Sequence, residues 1–487
     1  MAGSSLLIRN LLDTVKEEYF YHSKRVDQLK LGDYPFPWSS TLLTKLSEID
    51  DAILRELDKL DKELQQTKKD PQTIALTKEN LDAIQRYGQL VGVLHYVLTF
   101  FEIGHRQYLP EGTAVPIKNA IRLFDKSAAF VLVPIFEYNY IYLDLMKLLK
   151  TALQYALPDI EKIFSDMPGR YAVFGFPLIQ KQNIISNTML AHEVGHFVDE
   201  VAGLSDKILK RVTLDKKRIE RIVNQLEKAR VGERKEVRLT YFISPDTLRA
   251  EITKLAVSQI SQWLKELVSD AVAFHLFGPV FLHSLSNFLL SMVEIDEASS
   301  DHPPPRMRIK LLLEEFKEKK YAEILKGVKE TDDKKMADDF VSLSLELESI
   351  LGTIKPGELT EFQELVMDSV QNVIPELKKE VNNYVISFEY RPEQFRDEVF
   401  QLSRRLDFIV PPAEIDVGKP ALPVSILNAG LLYKMLLVRR LYGVFDAATS
   451  KDEIAVRDKL HALILKALEL SDIETQMKQI LKDSESA

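Results

Sequence analysis

The sequence has no cysteine among its 487 residues. Disulfides are therefore excluded, and any bound metal must be held by His, Asp or Glu. The same absence fits a reducing compartment, so a cytoplasmic location is the expectation. The first residues, MAGSSLLIRNLLDTVKEEYF, contain no apolar run long enough for a signal peptide. Acids at Asp13, Glu17 and Glu18 also argue against a transit peptide. Positive charge is in short supply too. Lys and Arg number 64 against 73 Asp and Glu, a net charge of -9, so a nucleic-acid partner is not expected. Long apolar runs are lacking. Residues 87–105 and 275–293 come nearest, but His95, Glu102, His283, Ser284 and Asn287 interrupt them. A spanning helix needs about 20 mostly apolar residues, so both stretches read as buried core helices and no integral membrane association is expected. No internal repeat and no low-complexity tract is present.

Most of the chain carries helical periodicity. Leu43, Leu46, Ile49, Ile53, Leu57, Leu60 and Leu64 recur at three and four and make one apolar stripe. Asp70-Pro71 and Ser244-Pro245 pair a capping side chain with a first-turn proline, the pattern of helix starts. Two windows read as extended: RYAVFGFP at 170–177 and EVRLTYFIS at 236–244. Turn and proline-rich breaks at 165–169, 298–305 and 411–423 suggest three parts. These are an N-terminal helical region (1–164), a middle region (165–318) and a C-terminal helical region (319–487).

Within the middle region stands LAHEVGHFVDE, residues 190–200. On a helix, His192 and His196 fall one turn apart on one face and can point at one metal ion. Glu193 is displaced about 100° around the helix, where it can take a proton from an attacking water rather than bind the metal. Neutral imidazoles hold zinc without quenching its charge, and the metal acidifies water. Nine histidines in a chain of this length give the bare pattern by chance on the order of once in a hundred chains. The flanking Leu190, Ala191, Val194, Gly195, Phe197 and Val198 are uncharged, as a buried active-site helix requires.

A catalytic zinc needs a third protein ligand. Position 202 is Ala, which removes the metzincin arrangement with a third histidine six residues past the second. KELVSDAVAF (265–274) offers a better candidate. Glu266 can complete the metal group, and Asp270, one turn on, can accept the free ring N–H of a ligand histidine.

This His192-Glu193-x-x-His196 element followed by Glu266-x-x-x-Asp270 resembles the gluzincin zinc metallopeptidases. A further likeness is to the CAAX-prenyl-protease and heat-shock membrane-protease branch, which carries an H-P-x-x-x-x-R-I element. His302, Pro303, Arg308 and Ile309 match it. The likeness covers roughly residues 170–315. It implies a mainly α protein, with a zincin-like core and small β-sheet embedded in N- and C-terminal helical regions. It also implies a Zn2+ cofactor and hydrolysis of a peptide or protein substrate. The chain departs from that branch in lacking membrane helices, so the prenylated substrate is not carried over. In gluzincins a strand before the active-site helix pairs with extended substrate. Residues 170–177 stand at that place, and an ordinary buried strand is the equal alternative.

Other residues admit two readings each. His302 or Arg308 can serve the oxyanion or anchor substrate. Alternatively, His302 caps the loop before the proline run and Arg308 pairs with an acid. Tyr171, Tyr241 and Tyr433 are further candidate oxyanion donors. Asn428-Ala429-Gly430 follows the proline-rich loop 411–423, which either crosses the cleft mouth or is the entry to a core helix, the latter favoured. Glu200 reads as a solvated acid, and 207–235 as an exposed helix of mixed charge. Two rival functions remain: a zinc-binding scaffold with a vestigial site, against which an intact Glu193 weighs, and hydrolysis of a non-peptide amide.

Overall fold

The computed structural model describes residues 2–36, 38–66, 73–104, 109–157, 159–233, 244–292, 294–353 and 359–485. Asp70-Pro71 and residues 236–243, with Tyr241, lie outside the described residues. The protein is mainly helical with small sheets, and it divides into two compact units: residues 1–114 with 125–181, and residues 115–124 with 182–487. The sequence break near 164 falls inside the first unit and that near 318 inside the second.

The first unit opens with three long helices, α1 (Ala2–Lys30), α2 (Ser39–Gln66) and α3 (Thr73–Ile103). Leu43, Leu46, Ile49, Ile53, Leu57 and Leu60 are all buried, because α2 lays this stripe against its neighbours. The apolar stretch from 87 is only half a core helix. Leu94, Val97, Leu98 and Phe101 are buried, but Tyr96 on the opposite face is half exposed. Helix α4 (Glu111–Phe124) runs across the division. Strands β1 (Ala129–Ile135) and β2 (Ile141–Asp144), helices α5 (Leu145–Leu153) and α6 (Ile160–Ile163), and strand β3 (Tyr171–Pro177) complete the unit.

Here the edge-strand expectation for 170–177 is corrected. The sheet order is β1-β3-β2, with β3 parallel to β1 and antiparallel to β2. β3 is therefore central, and both its hydrogen-bonding edges are taken, with no row of backbone groups left for an added strand. All seven of its residues are buried. The partner that sequence reading missed, β1, is a nearly continuous apolar run, AFVLVPI, which has no alternation to mark it as a strand.

The second unit is helical. Its elements are α7 (Leu190–Ala202), α8 (Leu204–Leu209), α9 (Lys216–Glu233), α10 (Pro245–Phe277), α11 (Pro279–Met292) and α12 (Pro305–Glu318). They continue with α13 (Tyr321–Leu325), α14 (Thr331–Thr353), α15 (Glu361–Gln371), α16 (Ile374–Val385) and the single turn α17 (Pro392–Gln394). The last are α18 (Phe400–Asp407), α19 (Pro423–Leu432), α20 (Val438–Val444) and α21 (Ser450–Glu485), with a small hairpin of β4 (Glu414–Asp416) and β5 (Lys419–Pro420). Among the described residues no helix is long and apolar enough to cross a membrane.

Helix α10 is the axis of this unit and packs on α7, α8, α9, α11, α12, α15 and α16. It starts where the sequence predicts: Ser244 Oγ accepts the Thr247 N–H at 3.1 Å, and Pro245 occupies the first turn. The 275–293 stretch is buried through Ser286 but is two helices, not one. Gly278, at φ +68°, ends α10, and Pro279 begins α11. Asn428 bridges that break. Its Oδ1 accepts the Val280 N–H at 2.9 Å, and its Nδ2 donates to Phe277 O at 2.9 Å. Asn428 thus belongs to a core helix, α19, rather than a cleft-crossing loop. Helix α9 is not a free surface helix either. Ile219, Ile222 and Val223 are buried, and Arg218 pairs with Asp368 at 2.6 Å.

His283 on α11 is buried, and its Nε2 shares a 2.9 Å hydrogen bond with Ser344 Oγ on α14. Burial lowers its pKa from 6.5 to about 4. A depressed histidine contributes stability that is full above 6.5 and is lost as pH falls toward 4, because the unfolded chain takes up the proton first. Urea unfolding between pH 7 and pH 4 is expected to show His283→Gln losing less stability than wild type. The full difference is about 3 kcal/mol.

Candidate metal centre

Helix α7 carries the two histidines and α10 carries the acids, and the two helices cross in unusually close contact. Gly195 sits at the crossing. A Cβ placed there would lie 2.5 Å from the Cα of Ser269, 2.8 Å from its carbonyl carbon, and closer still to its carbonyl oxygen. Only a residue without a side chain lets the backbones meet at this point. The C-terminus of α7 is then turned sharply. Gly203 adopts φ +62° and donates its N–H to Asp199 O at 2.6 Å. The Asp199 carboxylate is buried and accepts the Ser205 N–H at 2.8 Å and its hydroxyl at 2.6 Å, so it tethers α8 rather than reaching His196. Glu200 is half-buried.

The crossing brings His192, His196 and Glu266 together as a group that could hold a metal ion. The two Nε2 atoms stand 3.1 Å apart. His192 Nε2 is 3.3 Å from Glu266 Oε2, and His196 Nε2 is 3.2 Å from Glu266 Oε1. Donors bound to one ion at about 2.0–2.2 Å in a tetrahedron lie about 3.3–3.6 Å from one another; the two Nε2 atoms are within a few tenths of an ångström of this, and each faces a different oxygen of the Glu266 carboxylate. Glu266 Oε2 is buried and has no hydrogen-bond partner, as an oxygen reserved for a cation would be. The other ring nitrogens are held. His192 Nδ1 donates to Asp270 Oδ1 at 2.9 Å, and His196 Nδ1 meets Ser269 Oγ at 2.9 Å.

Arg308, on α12, is buried behind this layer. Its Nε donates to Asp270 Oδ2 at 2.7 Å and its Nη2 to Asp270 Oδ1 at 2.8 Å, a two-pronged pair. Its Nη1 is 3.4 Å from Glu266 Oε2. His302 is different in kind. Its side chain is 61% exposed, and its Nε2 is 3.7 Å from Glu266 Oε2, so it stands at the solvent side of the group. Its backbone N–H donates to Ser299 Oγ at 2.8 Å, which ties the loop ahead of the proline run. Glu193 is buried, and among the described residues it makes no hydrogen bond or ion pair.

Charge explains the titration of the group. The carboxylates of Glu193, Glu266 and Asp270 face one permanent cation, Arg308, which leaves two negative charges unmatched. Burial works against a charged His192, but Glu266 and Asp270 outweigh it and raise its pKa to about 10. Burial likewise opposes ionised Glu266, yet the two histidines and Arg308 hold it well below the ordinary carboxylate value. Asp270 is lowered despite burial, chiefly by Arg308. Glu193 is raised by burial, partly offset by the histidines. A divalent cation would supply the missing charge without any histidine proton.

No protein-family model, no curated protein and no solved structure matches the chain. The metal reading therefore stands on this geometry alone. Tyr171 and Tyr433 are engaged elsewhere: the first shares a 3.1 Å hydrogen bond with Ser39, and the second donates to Asp407 Oδ1 at 2.9 Å. Ser269 is the residue that sequence reading missed. It lies between Glu266 and Asp270, and a serine within a helix carries no pattern that marks it as a histidine partner.

Two outcomes are expected. Elemental mass spectrometry should find about one divalent ion per wild-type chain and a loss of it in Glu266→Ala, which removes one of three donors. Gly195→Ala should destabilise the protein by about 1–3 kcal/mol in chemical unfolding and lower its metal content, because the added methyl pushes α7 away from α10.

Proposed function

We propose that the protein is a zinc-dependent peptidase of gluzincin type, with His192, His196 and Glu266 as the zinc ligands. The observation that carries this reading is the His192, His196 and Glu266 group, with the carboxylate of Glu193 on a largely buried residue next in sequence to one of its donors. Burial raises the pKa of Glu193 against the pull of the two histidines, and carboxylates perturbed in this way concentrate where a proton must be moved. The two imidazoles and one carboxylate suit zinc, which accepts mixed nitrogen and oxygen donors, and the chain has no cysteine to favour a softer site. When bound, zinc would polarise a substrate carbonyl and acidify water.

The chain's own groups supply the remainder. Glu193 takes the proton of the attacking water and returns it to the leaving amine. Asp270 fixes the orientation of His192, and Arg308 acts through Asp270 and Glu266 rather than on substrate. His302, exposed at the solvent side of Glu266, is the group that can donate a hydrogen bond to the oxyanion as it forms.

Glu193→Gln keeps shape and removes the base. It is expected to retain metal at the wild-type level and to lose about 10²–10⁴-fold in peptide turnover, measured on a peptide library by mass spectrometry. Undiminished cleavage by this variant would sink the mechanism.

A further inference from the structure

Glu266, Ser269 and Asp270 occupy a single turn of α10, and each meets a histidine of α7. Asp270 holds the Nδ1 of His192, and Ser269 is the counterpart for His196. Its hydroxyl is 2.9 Å from His196 Nδ1, and Ser269 has no solvent exposure. A serine in mid-helix ordinarily turns its hydroxyl back to the carbonyl four residues earlier, as Ser344 does to Phe340 O at 2.8 Å. The hydrogen bond of Ser269 goes instead across to α7. It can do so because Gly195 lets the Ser269 backbone approach α7, one residue before His196.

We infer that Ser269 is a positioning residue: it accepts the Nδ1–H of His196, fixes the tautomer with the lone pair on Nε2, and thereby presents His196 to the metal. This rests on the reading of His192, His196 and Glu266 as metal ligands. The choice of hydroxyl has a physical basis. Three carboxylates already stand against one guanidinium, and a second aspartate at this position would add an unpaired negative charge to a buried cluster. A hydroxyl accepts the same proton without charge. The two ligand histidines are therefore unequal. His192, backed by a carboxylate, is the stronger donor, and His196, backed by a neutral oxygen, is the weaker.

The test uses the full chain with zinc as the probe, in competition with a chromophoric chelator. Ser269→Ala is expected to bind zinc about 10–100-fold more weakly, and Ser269→Thr, which retains a hydroxyl, to recover most of that loss. Ser286→Ala controls for the removal of a buried hydroxyl. Ser286 is fully buried, and its Oγ has no hydrogen-bond partner, so its affinity should equal wild type. Nitrogen-15 NMR of histidine-labelled, zinc-loaded wild type should show a protonated, slowly exchanging Nδ1 on His196, and Ser269→Ala should speed that exchange. A purely structural role for Ser269 would leave the exchange unchanged. If wild type binds zinc and Ser269→Ala binds it equally, with the His196 proton unaffected, the role of Ser269 is overturned while the metal centre stands. If wild type binds no zinc, both fail together. Should Ser269→Ala not fold, a deprotonated or freely exchanging His196 Nδ1 in loaded wild type overturns the assignment.

Discussion

Two helix backbones touch where Gly195 of α7 meets Ser269 of α10, and the candidate site depends on that contact. Side chains at a normal helix crossing hold the axes about 8–10 Å apart. Removing the side chain at position 195 lets Glu266, Ser269 and Asp270 reach the rings of His192 and His196 with short-chain partners. Serine in particular has one rotatable bond before its hydroxyl, so it can serve a histidine only if the backbone itself is close. The glycine inside the HEVGH stretch is therefore as much part of the site as the histidines on either side of it.

The second constraint is electrostatic. Ionised carboxylates are rarely buried unless they are paired. Asp270 is paired twice by Arg308, and Glu266 lies among two imidazoles, Arg308 and His302. What this arrangement lacks is positive charge, and His192 answers by holding a proton to about pH 10. A site built only for stability would more economically use fewer acids. An excess of buried carboxylates around two convergent imidazoles is a charge pattern that could accommodate a cation.

Much of the site was legible because its parts follow helical spacing. His192 and His196 are four apart, as are Glu266 and Asp270, and each pair does share a face. The start of α10 at Ser244-Pro245 was equally readable from its cap. The failures are also physical. The strand 170–177 was recognised by its residues, but its neighbours were not. β1 is a continuous apolar run that lacks period-two alternation, so nothing in the sequence revealed that β3 was flanked on both edges. The 275–293 stretch looked like one helix because hydrophobicity runs unbroken through Gly278-Pro279. Only the backbone at φ +68° and the bridging amide of Asn428, some 150 residues later, show the break. Such long-range side-chain ties leave no local signal.

The element at 302–309 joins the inner and outer faces of the site. Pro303, Pro304 and Pro305 are each locked in φ, and Pro305 occupies the first turn of α12, where its missing N–H costs nothing. This rigid run fixes the direction in which α12 leaves the loop. One turn in, Arg308 is delivered to the buried carboxylate of Asp270, while His302, just before the prolines, is left at the solvent side of Glu266. The two side chains thus approach the same acid layer from opposite sides, although only six residues separate them. A flexible connector would have to order both at an entropic cost of roughly 1–2 kcal/mol per residue, which three prolines largely remove before folding. The proline run therefore couples the support of the His192, His196 and Glu266 group to the placement of His302 at its solvent side.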